Sequence, residues 1–261
     1  VKRVTATANP LFRRVQNLME SAAARREARM AVLEGNHLLE SCVAAWGAEA
    51  VDTLMLREDL PEALAQRMHG LAHGATLVCV ATAAFERLSP VAGEGGVLSL
   101  VRIPDERPIR PGGLELWLDG IQDPGNAGGI VRTAAAAGAH AVVFGAGSAD
   151  PWSAKCLRGA MGGHFFCAVV RDEDLSARAR SYEGRLMAAV ASGGKDLYGT
   201  DLSGPLAILL GAEGRGLSPS LASKASLAVQ IPMAGGTESL NVGAAAAVLC
   251  FERLRQLRGR R

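Results

Sequence analysis

Five short, largely apolar runs in the second half of the chain do most to limit what it can fold into. Leu114–Leu118, Ala141–Phe144, Leu186–Val190, Leu206–Leu210 and Leu227–Ile231 each span only four or five residues. They do not alternate inside and outside, as a strand with one wetted face would. Runs of this kind are strands covered on both faces. The stretches between them include a helix at Asn126–Ala137 and a long final helix from about Asn241 to Leu257. Buried strands separated by helices imply an α/β domain with a parallel sheet. Ligands of such sheets sit at the carboxyl ends of the strands, which is where this chain concentrates glycine.

The first hundred residues are organised differently. Asn9-Pro10 places a cap before a proline in the first turn, and Leu11, Val15, Leu18 and Met19 then recur at helical spacing. Met30–Leu33 reads as a strand, and Glu34-Gly35-Asn36 turns into a helix carrying Leu38, Leu39 and Val43. Strands at Val51–Leu56, Leu77–Val80 and Val97–Ile103, with helices at Pro61–His69 and around Phe85, complete a second, smaller α/β unit. Between the two halves, three prolines and two glycines fall within Pro104–Gly113. That density interrupts all periodicity. The expected organisation is therefore 1–103 as one domain, 104–113 as linker and 114–261 as the second domain.

Composition narrows the class further. Aromatic residues make up only 4% of the 261, so the core must pack Ala, Val and Leu, with glycine permitting close backbone approach. The five cysteines are scattered and never paired as C-x-x-C, which argues against a disulfide framework and structural zinc and fits a reducing cytoplasm. The histidines show no metal-ligand spacing, so no metal is expected. The charged, amphipathic start gives no expectation of a secretory leader, and no apolar run is long enough to cross a bilayer. Net charge is only +2, but its distribution is uneven. Lys2, Arg3, Arg13, Arg14, Arg25, Arg26 and Arg29 stand near one end, and Arg253, Arg255, Arg258, Arg260 and Arg261 at the other. Basic ends on a nearly neutral body suit a phosphate-binding surface, although solvated helix faces would show the same pattern.

Three loops hold the candidate chemistry. In Asp119-Gly-Ile-Gln-Asp-Pro-Gly-Asn126-Ala-Gly-Gly-Ile-Val-Arg132 a strand turns through Pro-Gly into a helix, with Asn126 suited to the N-cap and Arg132 off the apolar stripe. In Leu210-Gly211-Ala-Glu213-Gly214-Arg215-Gly216-Leu217 a buried strand ends in a glycine-rich turn holding one carboxylate. Its exposed backbone is able to receive an adenine or ribose, yet it is neither a phosphate loop nor a dinucleotide fingerprint. In Ile231-Pro232-Met233 through Ser239-Leu240-Asn241-Val242, Ser239 or Asn241 begins the last helix, and Ser239 has the neighbourhood of a cap. A helix start offers free amide donors and partial positive charge. Each loop alone reads equally well as ordinary turn and cap structure.

Taken in order, the three loops resemble the motifs of the SpoU (TrmH-like) RNA 2′-O-ribose methyltransferases of the SPOUT superfamily. The matching segments are N-x-G-x-x-x-R-T-A, G-x-E-G-x-G-L, and I-P-M followed by S-L-N-V. The resemblance covers the C-terminal half. The N-terminal half is more loosely similar to the family's ribosomal-protein-like RNA-binding domain, with Leu33-Glu34-Gly35-Asn36-His37-Leu38-Leu39 as the best local match. It implies a trefoil-knotted catalytic domain, S-adenosyl-L-methionine as cofactor, and a homodimer through the C-terminal domain that shares the active site. By position, Gly211, Ile231 and Leu240 would contact the cofactor, and Leu210 and Met233 would line its pocket. Asn126, Arg132, Glu213, Ser239 and Asn241 would form the catalytic cluster. Ala160, where the family usually has serine, and Gly243, where serine or alanine is usual, depart from the pattern.

The implied reaction methylates a ribose 2′-hydroxyl in structured RNA, with Arg132 most involved in activating the hydroxyl. Ribosomal RNA, 23S in particular, is favoured over transfer RNA because of the added N-terminal domain, where Arg13, Arg14, Arg25 and Arg26 would hold phosphates. Two other readings stand beside it: an RNA-binding or ribosome-assembly factor with a relic pocket, and a methyltransferase acting on a base nitrogen.

Overall fold

The structure is a computed structural model that describes residues 2–5, 7–89, 95–105, 109, 112–235 and 238–259. Its first elements are β1 (Lys2–Val4), α1 (Pro10–Glu20), α2 (Ala22–Ala28), β2 (Met30–Glu34), α3 (Asn36–Trp46), β3 (Val51–Arg57), α4 (Glu62–Leu71), β4 (Thr76–Val80), α5 (Thr82–Leu88) and β5 (Val97–Arg102). They are followed by β6 (Leu114–Asp119), α6 (Pro124–Ala136), β7 (Ala141–Phe144), α7 (Ala154–Ala160), β8 (Ala168–Arg171) and α8 (Leu175–Ser181). The last are β9 (Arg185–Val190), β10 (Lys195–Asp196), β11 (Leu206–Gly211), α9 (Pro219–Ala222), β12 (Leu227–Gln230) and α10 (Val242–Arg258).

The chain divides into two compact units, Val1–Asp105 with Trp152–Phe165, and Glu106–Pro151 with Phe166–Arg261. The sequence reading assigned 152–165 to the second domain, and here the structure corrects it. Parts of the proline-rich linker, and Arg260 and Arg261 of the basic tail, lie outside the described residues.

In the first unit a five-stranded sheet runs in the order β1-β4-β3-β5-β2, with β5 antiparallel to both its neighbours. One face buries Phe12, Val15 and Leu18 of α1 with Phe85 and Leu88 of α5. The other buries Leu38, Leu39 and Cys42 of α3 with Met68 of α4. The Asn9 side chain accepts from the Leu11 amide at 2.9 Å, the cap that Asn9-Pro10 predicts. Segment 152–165 joins this second face, where Trp46 meets Phe165 edge-on at 4.8 Å and Trp152 at 6.1 Å. Glu34, whose side chain is 4% exposed, accepts hydrogen bonds from Ser89 and from Arg158 of α7. A carboxylate this enclosed is stable only because it is paired and hydrogen-bonded.

The second unit holds a seven-stranded sheet in the order β10-β12-β9-β11-β6-β7-β8, with every pairing parallel. Central β6 and β11 are buried along most of their length, which accounts for their largely apolar runs, broken in β6 by Glu115, which accepts from Trp117 Nε1 and from Arg178. Their register sets Leu210 beside Leu118 and Gly211 beside Asp119 at the carboxyl edge. Helices α6 and α10 pack on each other, burying Ala127, Ile130, Val131 and Ala134 of one and Val242, Ala246 and Leu249 of the other.

One cap assignment changes and an open one is settled. The cap of α6 is Asp123, whose carboxylate accepts from the Asn126 amide at 2.8 Å, with Pro124 as the first helical residue. Asn126 sits two residues further in, so its side chain is released for other work. Helix α10 is capped by Asn241, one of the two starts that the sequence offers, and not by Ser239. Among the described residues, no helix is long and apolar enough to cross a membrane.

Candidate functional site

Three loops of the second unit meet at the carboxyl edge of its sheet. The first leaves β6, and the Ser148 hydroxyl pins it by accepting from the Gly120 amide at 3.1 Å and donating to the Leu118 carbonyl at 2.9 Å. The second leaves β11 and closes immediately into a turn. The Gly216 amide donates to the Ala212 carbonyl at 2.8 Å, and Gly214 and Gly216 both take positive φ. The turn folds so tightly over Gly211 that a Cβ there would collide with the backbone of Gly216 and Leu217. Asp119 holds the far end, accepting from the Ser218 amide at 2.7 Å. The third loop runs from Ile231 to the cap of α10.

These loops bring together Asn126, Glu213 and Asn241. Asn126 Nδ2 donates to Glu213 Oε1 at 2.8 Å, and Asn241 Nδ2 donates to the same oxygen at 3.0 Å. Asn241 Nδ2 also donates to Asn126 Oδ1 at 3.1 Å. The orientation of Asn241 is settled by its other end, where Oδ1 accepts from the Gly243 and Ala244 amides at 2.9 and 3.3 Å. With the cap fixing Oδ1, Nδ2 must face the cluster. Glu213 and Asn241 are exposed and Asn126 is half-buried.

Beside this cluster lies a cavity of about 370 Å³, lined by Leu210, Gly211, Glu213, Ile231, Met233, Ser239, Leu240 and neighbouring residues. Every position expected to touch or line a cofactor is among them. The walls combine apolar side chains (Leu210, Val229, Leu249) with the bare backbone of Gly211, Gly214 and Gly216. A volume of this size and a mixed lining suit a small molecule with a flat aromatic part and a polar end. Gly211 lets the turn close tightly beside the cavity, where its own backbone forms part of the lining. The residues present therefore fit an adenosyl amino acid. A second depression, about 290 Å³, shares Ala212 and Glu213 with this cavity and is bordered by Gln122, Asn126 and Arg215. Sequence reasoning missed this depression and Arg215.

Arg132 is not part of the cluster. It is six residues beyond Asn126 on α6, about 9 Å along the axis and about 120° around it. It is exposed and makes no hydrogen bond or ion pair among the described residues. In the first unit Arg13, Arg14 and Arg26 are exposed, with Arg14 also touching Met30 Sδ at 2.8 Å. Arg25 is a correction: only 4% exposed, it turns inward and donates to the Met19 carbonyl at 2.9 Å and to that of Leu18. It satisfies the end of α1 and is closed to RNA. No group of side chains able to hold a metal occurs among the described residues. The five cysteines are free thiols, and burial pushes those of Cys42, Cys167 and Cys250 up to about 12.

Comparison with known proteins places this geometry. Residues 113–251 match the SpoU rRNA Methylase family. The chain is 32% identical over 231 residues to the 23S rRNA (guanosine(2553)-2′-O)-methyltransferase RlmP of Bacillus subtilis, covering 84% of this chain and 86% of that one. It is 37% identical over 146 residues to the 23S rRNA (guanosine-2′-O-)-methyltransferase RlmB of Photobacterium profundum, covering 55% and 60%. The structure superposes on the AdoMet-bound rRNA methyltransferase of Sinorhizobium meliloti with a TM-score of 0.83, 27% identity and 98% of each chain covered. With a family match across more than half its length, and a relative of this identity along most of it, the chain belongs to the SpoU rRNA methylase family.

Proposed function

We propose that this protein is an S-adenosylmethionine-dependent methyltransferase that methylates a ribose 2′-hydroxyl in ribosomal RNA. The observation that carries the reading is the shared wall. Glu213 borders the glycine-floored cavity on one side and hydrogen-bonds Asn126 and Asn241 on the other. When bound, the cofactor supplies a methyl group made electrophilic by a sulfonium.

The chain's own residues do the rest. Gly211, Ile231 and Leu240 hold the cofactor, largely through backbone, with Leu210 and Met233 completing the pocket. Asn126 and Glu213 fix the ribose, while Ser239 and Asn241 support it or its phosphate. Holding a nucleophile in line is worth on the order of 7–11 kcal/mol in favourable intramolecular models. Arg132 contacts the 2′-hydroxyl and stabilises the alkoxide as charge develops, because a guanidinium donates and does not accept protons. Arg132 lies away from its own chain's cluster, so the reading includes a homodimer in which α6 of a second copy supplies it. Arg13, Arg14 and Arg26 hold RNA phosphates on the first unit. The setting is the cytoplasm, where ribosomal RNA is made and modified.

The Bacillus subtilis and Photobacterium profundum relatives are named for guanosines of 23S ribosomal RNA, which favours that RNA over transfer RNA. The test is transfer of labelled methyl groups to unmodified 23S transcript, followed by alkaline digestion. A 2′-O-methyl group protects the neighbouring phosphodiester, so label in alkali-resistant dinucleotides supports the reading. Label released as a mononucleotide would make the protein a base methyltransferase. Tight cofactor binding with no transfer to any RNA would make it a binding factor.

A further inference from the structure

We propose that the depression bordered by Gln122, Asn126 and Arg215 seats the nucleotide being methylated, and that Arg215 holds its phosphate. The inference rests on the reading above and names a substrate contact within it.

The depression adjoins the cofactor cavity. Ala212 and Glu213 line both spaces, and Asn126, part of the hydrogen-bonded cluster, lines the depression. A ribose seated there lies against the cluster and next to the cavity. Its volume, about 290 Å³, suits one nucleoside better than a stretch of strand.

Arg215 is exposed and stands at the edge of this depression. It stands two residues after Glu213 on the turn that the Ala212–Gly216 bridge closes, with Gly214 before it and Gly216 after it both at positive φ. The Gly216 amide, donating to the Ala212 carbonyl at 2.8 Å, closes the turn that carries Arg215. Although Asp123 and Glu213 border the same depression, the Arg215 guanidinium makes no ion pair or hydrogen bond among the described residues. Asp123 is engaged in capping α6, and Glu213 Oε1 already accepts two amide hydrogens. An exposed, unpartnered guanidinium beside a polar nucleoside-sized hollow is matched by a phosphate oxygen pair, which it binds as a fork. A nucleotide is the one part of RNA that presents hydroxyls to the cluster and a phosphate to Arg215 at once.

The test measures binding of unmodified 23S ribosomal RNA transcript without cofactor, across a salt series, for wild type, Arg215→Ala, Arg215→Lys and Arg180→Ala. Arg180 is an exposed arginine on α8 and serves as the control for general charge. Arg215→Ala is expected to weaken binding about tenfold and to lower the slope of log affinity against log salt by about 0.7–0.9, the loss of one phosphate contact. Arg215→Lys is expected to restore the slope but only part of the affinity, since a point charge replaces the fork. In turnover, KM for RNA rises by far more than kcat falls, and cofactor affinity measured by calorimetry stays as in wild type. Unchanged affinity and slope in Arg215→Ala overturn the proposal, as does an equal slope loss in Arg180→Ala. If wild type binds the cofactor yet methylates no RNA, the functional reading itself falls and takes this one with it.

Discussion

Asn241 and Asn126, 115 residues apart in sequence, are joined by a hydrogen bond of 3.1 Å from the amide of one to the carbonyl of the other. Asn241 also caps α10, so one side chain ends a loop, starts a helix and orients the cluster. These duties separate by substitution. Asn241→Asp keeps an oxygen for the Gly243 and Ala244 amides but removes both donors and sets a carboxylate against Glu213. Its thermal midpoint should stay near wild type while methyl transfer falls at least a hundredfold. Asn241→Ala should lose the cap as well, costing about 1 kcal/mol. A fully active Asn241→Asp would show that the cluster serves only the fold.

The distance of Arg132 from that cluster makes a sharper test. Arg132→Ala should abolish turnover and leave cofactor affinity nearly intact. Retention of more than a tenth of the rate, a loss under about 1.4 kcal/mol, would remove it from the mechanism. If a second copy supplies Arg132, then Arg132→Ala and Asn126→Ala, each inactive alone, should complement when their subunits are exchanged. Random exchange yields intact sites at about one quarter of the total. Recovery near that level, read by methyl transfer after mixing, supports a shared site. No recovery despite demonstrated exchange would place Arg132 and Asn126 in the same chain's site.

Five of the seven strands of the second unit were legible because burial keeps them largely apolar, whereas β8, partly exposed, and β10, two exposed charged residues, gave no such run. The loops were legible as motifs, and the cavity does gather Gly211, Ile231 and Leu240. The cap of α6 was misread although the signal was present. Proline is at home in the first turn, so Asp-Pro marks Asp123 as the cap and Asn126 as free. Segment 152–165 was not legible at all. Its burial depends on Trp46 and Glu34, more than a hundred residues earlier, and nothing in local periodicity names such partners. Arg25 failed for a related reason. A run of arginines shows charge but not direction, and the break at Ser21 between α1 and α2 turns this one onto carbonyls.

Gly211 offers a prediction about the cavity alone. Gly211→Ala places a methyl group against the Gly216 and Leu217 backbone, which has no flexible side chain to give way. The turn must open, and overpacking of this kind costs typically 1–3 kcal/mol. Calorimetry should show cofactor affinity reduced at least tenfold in a variant whose circular dichroism matches wild type. Gly214→Ala, where nothing lies within 4 Å, meets only the strain of φ +81 and should lose less. Equal losses would mean that the close approach at Gly211 is irrelevant to binding.

Buried thiols are expected to weaken the fold at alkaline pH. Burial holds Cys42, Cys167 and Cys250 at about 12 in the folded protein, whereas unfolded thiols ionise near 8.5. The folded pKa is the higher one, so the unfolded state releases protons first as pH rises, and stability is complete below about 8.5 and lost progressively from there towards 12. Each thiol contributes a slope of up to about 1.4 kcal/mol per pH unit within that window. Urea midpoints should therefore be flat from pH 7 to 8 and fall steadily from pH 9 to 10.5. Cys250→Ala loses some packing at every pH, but its decline between pH 9 and 10.5 should be shallower by about one thiol's share. A parallel decline in the variant would show that Cys250 does not stay protonated in the folded chain, and that some other group governs the fall.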